Sequence, residues 1–311
     1  MHILDARQTA QALPYDQLVP ALAQAAQEFV SGAIRAPERQ VVPIDVNSVL
    51  LSMPAIGDDL SVTKLITVHA DNGQHHLPAI QGEVIAFETR TGRRIALLDG
   101  PTVTGRRTAA MTLLGIQTLL PRKPVSALLI GTGVQAQAHA DALAEFFGIT
   151  QFWIAARDLG RTQAFCSALC ARHPQVIASP LAMDVLQHDT PQTDVLIALT
   201  TSRSAVIPVN LASSTLAVGV GAFKPDMVEF PAELVHARKV VVDDLGGAHH
   251  EAGDLIQAKV DWSSVSAIGD LLSGKIAPAS LNQDGLLPIF KTVGQASWDL
   301  AAARVARAFL N

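Results

Sequence analysis

The chain has 311 residues, 49% apolar and 16% charged, and 23 Lys and Arg stand against 28 Asp and Glu for a formal net charge of −5. That length suits about two domains of roughly 150 residues each, and the apolar fraction excludes a disordered or fibrous protein. The mild acidity argues against a nucleic-acid partner, which would need a basic face, and no uninterrupted apolar run reaches the roughly 18 residues of a membrane span.

The opening Met1-His2-Ile3-Leu4-Asp5 has no basic start before an apolar run, so no signal peptide is expected, and Cys166 and Cys170, read as reduced, suggest a cytoplasmic setting. Tyr15 to Gly32 places Leu18, Leu22, Ala25, Phe29 and Val30 at helical spacing, with Gly32 as the stop. Apolar runs at 41–42, 49–51, 62–68, 79–87 and 95–98 follow. Turn signals at Asp58, Asp71-Asn72-Gly73 and Thr91-Gly92 separate them, which predicts a meandering, largely antiparallel sheet. A second helix is expected from Val103 to Leu120, before Pro121.

From Pro124 the rhythm changes. A buried strand at 125–130 leads into a helix reaching Phe147, then a strand at 151–155 and a helix near 161–172. Short strands are expected at 194–199, 215–220 and 239–242. Strands alternating with helices imply a parallel sheet with right-handed crossovers. The last segment, Thr292 to Leu310, reads as a helix with Ala296, Leu300, Ala303, Ala306 and Leu310 on one stripe.

Gly131-x-Gly133-x-x-Ala136 lies directly after the first strand of this second region and opens its helix. In that setting the glycines allow a tight turn and let the backbone approach a pyrophosphate, whose charge the helix N-terminus stabilises. The candidate cofactor-binding residues are therefore Gly131, Gly133, Val134, Gln135 and Ala136. Cofactor choice is read at the end of the next strand, where a carboxylate would bond the ribose hydroxyls and an arginine would meet a 2′-phosphate. Ala156 stands at the carboxylate position and Arg157 follows, which favours NADPH. Asp158, two residues on, keeps NADH as the alternative.

Seven segments in order carry a family resemblance. They are Ala36-Pro37-Glu38-Arg39, Val62-Thr63-Lys64-Leu65, Arg107-Thr108-Ala109-Ala110, Gly131-Thr132-Gly133-Val134-Gln135-Ala136, Val218-Gly219-Val220-Gly221-Ala222, Glu251-Ala252-Gly253-Asp254 and Phe290-Lys291-Thr292-Val293-Gly294. With them the chain resembles the ornithine cyclodeaminase and mu-crystallin family from about residue 36 to its C-terminus. The resemblance implies an α/β protein in which a Rossmann-type dinucleotide-binding domain, 121–288, joins an α+β substrate and dimerisation domain built from 1–120 and 289–311. It also implies a homodimer.

By the same resemblance Arg39, Lys64 and Arg107 bind a substrate carboxylate, for which an arginine fork and an ammonium are suited. Lys64 stands out on physical grounds as well. Strict strand alternation puts it on the face of Val62, Ile66 and Val68, where an unpaired lysine is costly. Thr200, Thr201, Gly221 and Thr292 are implied to lie beside the cofactor, and Glu251 to face the substrate pocket. The other reading of Glu251 is a carboxylate at a helix start, stabilised by the dipole.

Cyclodeaminases of the family use an aspartate two residues after the glycine matching Gly221; here that residue is Phe223, which can neither shuttle a proton nor activate water. Asp226 is the alternative acid, and Phe223 offers an apolar wall to a substrate ring. Together with segments 77–83 and 297–303, this region resembles the Δ1-pyrroline-2-carboxylate reductase branch. The expected activity is thus reduction of a cyclic ketimine acid by NADPH, with Lys64 or an ordered water as the candidate proton donor. Ornithine cyclodeaminase, alanine dehydrogenase-like activity and a non-catalytic binding protein are the alternatives. No metal is expected, because His249 and His250 diverge on a helix. Cys166 and Cys170 are read as reduced packing residues.

Overall fold

The computed structural model describes residues 1–282 and 285–310. The chain divides into two compact units, one of residues 1–110 with 294–311 and one of residues 111–293. Among the described residues no helix is long and apolar enough to cross a membrane.

The first unit opens with β1 (His2–Leu4), α1 (Ala6–Gln11) and α2 (Tyr15–Val30). A meander follows: β2 (Gln40–Pro43), β3 (Ser48–Ile56), β4 (Leu60–His69), β5 (Ile80–Glu88) and β6 (Arg94–Asp99). The sheet order is β1-β6-β5-β4-β3-β2. All neighbours are antiparallel except β1, which pairs parallel to β6 and which the sequence reading did not include. Asp5 begins α1 with a reciprocal capping box to Gln8, a local signal that explains this short helix. Helix α2 ends at Val30, and Gly32 follows with a φ of +79°, as a glycine stop requires. On β4 the alternation holds: Leu60, Val62, Lys64 and Ile66 are buried. Lys64 pairs across the sheet with Met53 on one side and Val84 on the other, both buried.

Helix α3 (Gly100–Leu119) starts three residues before its expected onset, and the boundary between the units falls inside it. The second unit continues with β7 (Ser126–Ile130), α4 (Val134–Ala142), which runs into a π-turn over Leu143–Phe147, β8 (Gln151–Ala156) and α5 (Leu159–Arg172). Then come β9 (Ile177–Ala182), α6 (Met183–His188), β10 (Val195–Ala198), β11 (Leu216–Gly219), α7 (Ala232–Ala237) and β12 (Val240–Val242). The unit closes with α8 (Leu245–Glu251), α9 (Gly253–Gln257), β13 (Ser266–Ala267), α10 (Ile268–Leu272) and β14 (Ile289–Lys291). Its eight strands lie in the order β13-β12-β14-β11-β10-β7-β8-β9, all parallel. The order reverses direction between β7 and β10, which makes their carboxyl ends the switch point where such sheets bind ligands. Strands β7, β10 and β11 are buried on both faces, as apolar runs covered by crossover helices must be.

Two expectations need correction. The segment at 289–291 is a strand, inserted between β11 and β12, so the last helix, α11 (Ala296–Leu310), begins at Ala296 and not at Thr292. Nor does α11 bury a single stripe. Every residue from Ala296 to Ala303 is buried, because the helix packs within the first unit against α2, β3 and β4. Cys166 is buried and burial raises its thiol to about 11, which keeps it unreactive; Cys170 is also free.

Gly115 tests the packing of the second unit. A Cβ there would collide with the Phe290 ring of β14. In an ordinary helix interior Gly→Ala stabilises by up to about 1 kcal/mol. Here overpacking should reverse the sign and cost about 1–3 kcal/mol. Gly115→Ala is expected to lower the melting temperature; a rise would contradict this packing.

Candidate active site

The site residues fall into two groups, one in each unit. In the first unit, Lys64 Nζ lies 3.0 Å and 3.2 Å from the two carboxylate oxygens of Asp299 on α11. Arg107 Nε on α3 lies 3.3 Å from the same carboxylate. Lys64, Arg107 and Asp299 are all buried. Arg39 Nη2 donates to the carbonyl of Gly294 at 2.6 Å. Gly294 has a φ of +75°, and a Cβ on it would come within 2.5 Å of Arg107 Nη1. A glycine is needed there on both counts, and its peptide stands between the two guanidinium groups.

Burial pushes the Lys64 ammonium down to about 7. Asp299 opposes that shift, while the positive charges of Arg107 and Arg39 add to it. A lysine poised near neutrality can hold or release a proton under working conditions. The structure therefore brings Arg39, Lys64 and Arg107 together, and adds Asp299, which sequence reasoning passed over. A signal existed: Asp299 is the one charged residue in the stretch Ala296–Ala303, whose other residues are apolar except Ser297. Arg106 behaves differently, donating from Nε to the Leu13 carbonyl at 2.8 Å and lying 4.0 Å over the Tyr15 ring.

In the second unit a cleft of about 730 Å³ opens at the switch point, lined by Gly131, Gly133, Arg157, Arg161, Thr200 and Thr201 among others. Gly131 has a φ of +125°, and a Cβ on it would meet the Leu199 carbonyl at 2.7 Å. Around Gly133 no atom lies within 4 Å of such a Cβ, so the backbone is open to a ligand. No side chain caps α4 at Gly133, which leaves its first-turn N–H groups facing outward as anion donors. Glycine turn, helix start and guanidinium groups on one cleft fit a dinucleotide in shape and charge.

Asp158 also lines the cleft, but its carboxylate caps α5, accepting from the Arg161 N–H at 3.1 Å. Val134, Gln135 and Ala136 form the first turn of α4, directly after Gly133, which lines the cleft. Gly221 is tied to Thr200 through Glu229, whose carboxylate accepts from the N–H of each. Thr292 donates its hydroxyl to Asp243 at 2.7 Å. Phe223 is more than one-third exposed, with Lys224 5.9 Å from its ring centre. Asp226 pairs with Arg203 at 3.1 Å, both largely exposed. Glu251 is the last residue of α8 and stands directly before Ala252, the N-cap of α9.

The family model of the ornithine cyclodeaminase/mu-crystallin family matches residues 2–309. The chain belongs to that family. It is 45% identical over 305 residues, 98% of this chain and 94% of the relative, to a Δ1-pyrroline-2-carboxylate/Δ1-piperideine-2-carboxylate reductase of Azospirillum brasilense. Among solved structures it is similar to Thermococcus litoralis Δ1-pyrroline-2-carboxylate reductase in complex with NADH and L-proline. There the TM-score is 0.88 at 22% identity, over 99% of this chain and 97% of that one. An archaeal alanine dehydrogenase dimer with bound NAD gives a TM-score of 0.85 at 24% identity, over 99% of this chain and 95% of that one. These two likenesses establish the family fold in this chain.

The Lys64 cluster makes a stability prediction whose sign follows from linkage. Folding lowers the Lys64 pKa from 10.5 to about 7, so between those values the folded protein binds fewer protons than the unfolded chain. Below about 7 the full penalty of burying the charge is present; above it, the penalty is relieved as pH rises. Relative to Lys64→Met, the wild type should gain stability from pH 7 to 9, by at most about 1.4 kcal/mol per pH unit in urea denaturation. A difference independent of pH would contradict the assignment. Asp299→Ala leaves the cations facing one another in a buried place, and a loss of about 3–5 kcal/mol is expected in the same measurement.

Proposed function

We propose that this protein reduces cyclic ketimine acids, Δ1-pyrroline-2-carboxylate and its six-membered homologue Δ1-piperideine-2-carboxylate, to L-proline and L-pipecolate with a nicotinamide dinucleotide. The observation that carries the reading is the cluster of Arg39, Lys64 and Arg107 around one glycine peptide and one buried aspartate. A compact α-carboxylate is the ligand that this set of donors suits. The 45% identity to a relative named for both imines supports the same substrate class.

In this reading Arg107 and Arg39 orient the carboxylate, and Lys64, held near neutrality, supplies the proton that the imine nitrogen carries as C2 becomes electrophilic. Reduced nicotinamide, when bound, provides the hydride that C2 accepts, so the C=N bond becomes CH–NH and charge balances. Gly131, Gly133 and the start of α4 hold the pyrophosphate, and Thr200 and Thr201 flank the dinucleotide. Thr292, with its proton given to Asp243, presents acceptor lone pairs to a carboxamide N–H. Phe223 stands where a cyclodeaminase would need an acid, and Asp226 is committed to Arg203. NADPH is the preferred cofactor, since Arg157 and Arg161 line the cleft while Asp158 is engaged as a helix cap. A cytoplasmic homodimer belongs to the reading as well. The edge strand β2 exposes Val41 and Val42, apolar surface of the kind a second copy would cover.

The test is NADPH oxidation with each imine, run beside ammonia release from L-ornithine with NAD. Imine-dependent oxidation is expected. Ammonia and proline formation without imine reduction would overturn the reading, as would NADPH binding with no turnover. Lys64→Ala should raise KM and lower kcat together, and wild-type rates would remove Lys64 from the mechanism. Arg157→Ala should raise the KM for NADPH by about tenfold or more while moving that for NADH by less than about threefold. Equal effects on both would refute the 2′-phosphate assignment.

A further inference from the structure

A second buried charge array lies in the second unit. Glu229, Asp254 and Lys291 are each buried. Lys291 Nζ is 2.9 Å from Asp254 Oδ2 and 3.9 Å from Glu229 Oε2. Two carboxylates facing one ammonium in a dry place are costly to maintain, and burial pushes the Glu229 carboxyl up despite Lys291. Such an array calls for a reason beyond packing.

The hydrogen bonds supply one. Glu229 Oε1 accepts from the backbone N–H of Thr200 at 2.6 Å and from its hydroxyl at 3.1 Å. Oε2 accepts from the N–H groups of Gly221 at 2.8 Å and Ala222 at 3.1 Å. The main chain of the same segment extends the grip. The Glu229 carbonyl takes the N–H groups of Val206 and Ile207, each at 3.0 Å, and Val228 N–H donates to the Ser202 carbonyl at 2.8 Å. Thr200, Ser202 and Val206 all line the cleft at the switch point. Asp254 in turn accepts from the N–H of Glu229, and Lys291 on β14 anchors Asp254. One side chain thus bridges the loops leaving β10 and β11, and its neighbours fix it from behind.

We propose that Glu229 is a positioning residue for dinucleotide binding: it sets the wall of the cleft formed by residues 200–206 through paired hydrogen bonds to Thr200 and Gly221, with Asp254 and Lys291 holding it in place. It touches neither substrate nor cofactor; its effect passes through the two loops. The proposal rests on the dinucleotide reading of the cleft, and its test separates the two. An uncharged residue of the same shape could not serve equally. A glutamine would turn an NH2 group toward one pair of backbone donors, leaving those donors without an acceptor.

The experiment is fluorescence titration of the full chain with NADPH, for wild type, Glu229→Gln and Glu229→Asp, followed by steady-state rates with Δ1-pyrroline-2-carboxylate. Glutamine leaves the Lys291–Asp254 pair balanced, so a folded protein is expected by circular dichroism. Aspartate keeps the charge before Lys291 but withdraws it by one methylene, and so covers the case in which the glutamine variant does not fold. The NADPH Kd should rise about tenfold or more in a folded variant, with the imine KM at saturating NADPH within about twofold of wild type. A general loss of structure would not produce that split. A folded variant that binds NADPH within about twofold of wild type overturns the proposal. Wild type that binds neither NADPH nor NADH overturns the cofactor reading, and the positioning proposal with it.

Discussion

Burial of the Lys64 ammonium against Asp299 is the interaction on which the rest of the first unit depends. β4 places the lysine between Met53 and Val84, where its charge is tolerable only with a partner. That partner comes from α11, more than two hundred residues away in sequence, and this explains why the last helix is buried on all sides at its start. The same carboxylate reaches Arg107, and the turn leading into α11 presents the Gly294 carbonyl to Arg39. The return of the chain to the first unit and the assembly of the cationic cluster are one event. The electrostatic result is a lysine acted on by one carboxylate and two guanidinium groups, whose proton affinity a further anion would raise.

The second unit solves a parallel problem with the opposite balance. There two carboxylates meet one lysine, and the surplus acceptor oxygens are spent on backbone N–H groups at the ends of β10 and β11. The glycine loop after β7 provides the other side of the cleft, with Gly131 held against the Leu199 carbonyl. In both units buried charge is used to fix loops that secondary structure alone leaves undetermined. Ladder hydrogen bonds end at the strand termini, and these are the positions where ligands are met.

Much of this was legible in the sequence for definable reasons. Strand alternation identified Lys64 as a charge on an apolar face, and the strand–glycine–helix pattern located the cleft. The parallel sheet followed from the alternation of strands and helices after Pro124. What escaped were short or doubly buried pieces. β14 has three residues and was assigned to no element, because periodicity over so few positions carries no signal. Asp299 and Lys291 are the partners that a buried lysine or carboxylate demands, but pairing across the chain is a tertiary fact that spacing does not reveal. Glu251 shows a different limit: its segment was recognised, yet two short helices meet beside it, α8 ending at Glu251 and α9 beginning at Gly253, and spacing does not show where one stops and the next starts.

On the proposed reading Lys64, whose ammonium burial pushes down to about 7, regains its proton when a carboxylate arrives. Calorimetric titration of the dinucleotide complex with L-proline at pH 8, in two buffers of different ionisation enthalpy, measures that proton directly. Uptake approaching one proton per proline bound is expected at pH 8, falling toward zero at pH 6 and abolished in Lys64→Met. Binding with no buffer dependence at pH 8 would contradict it.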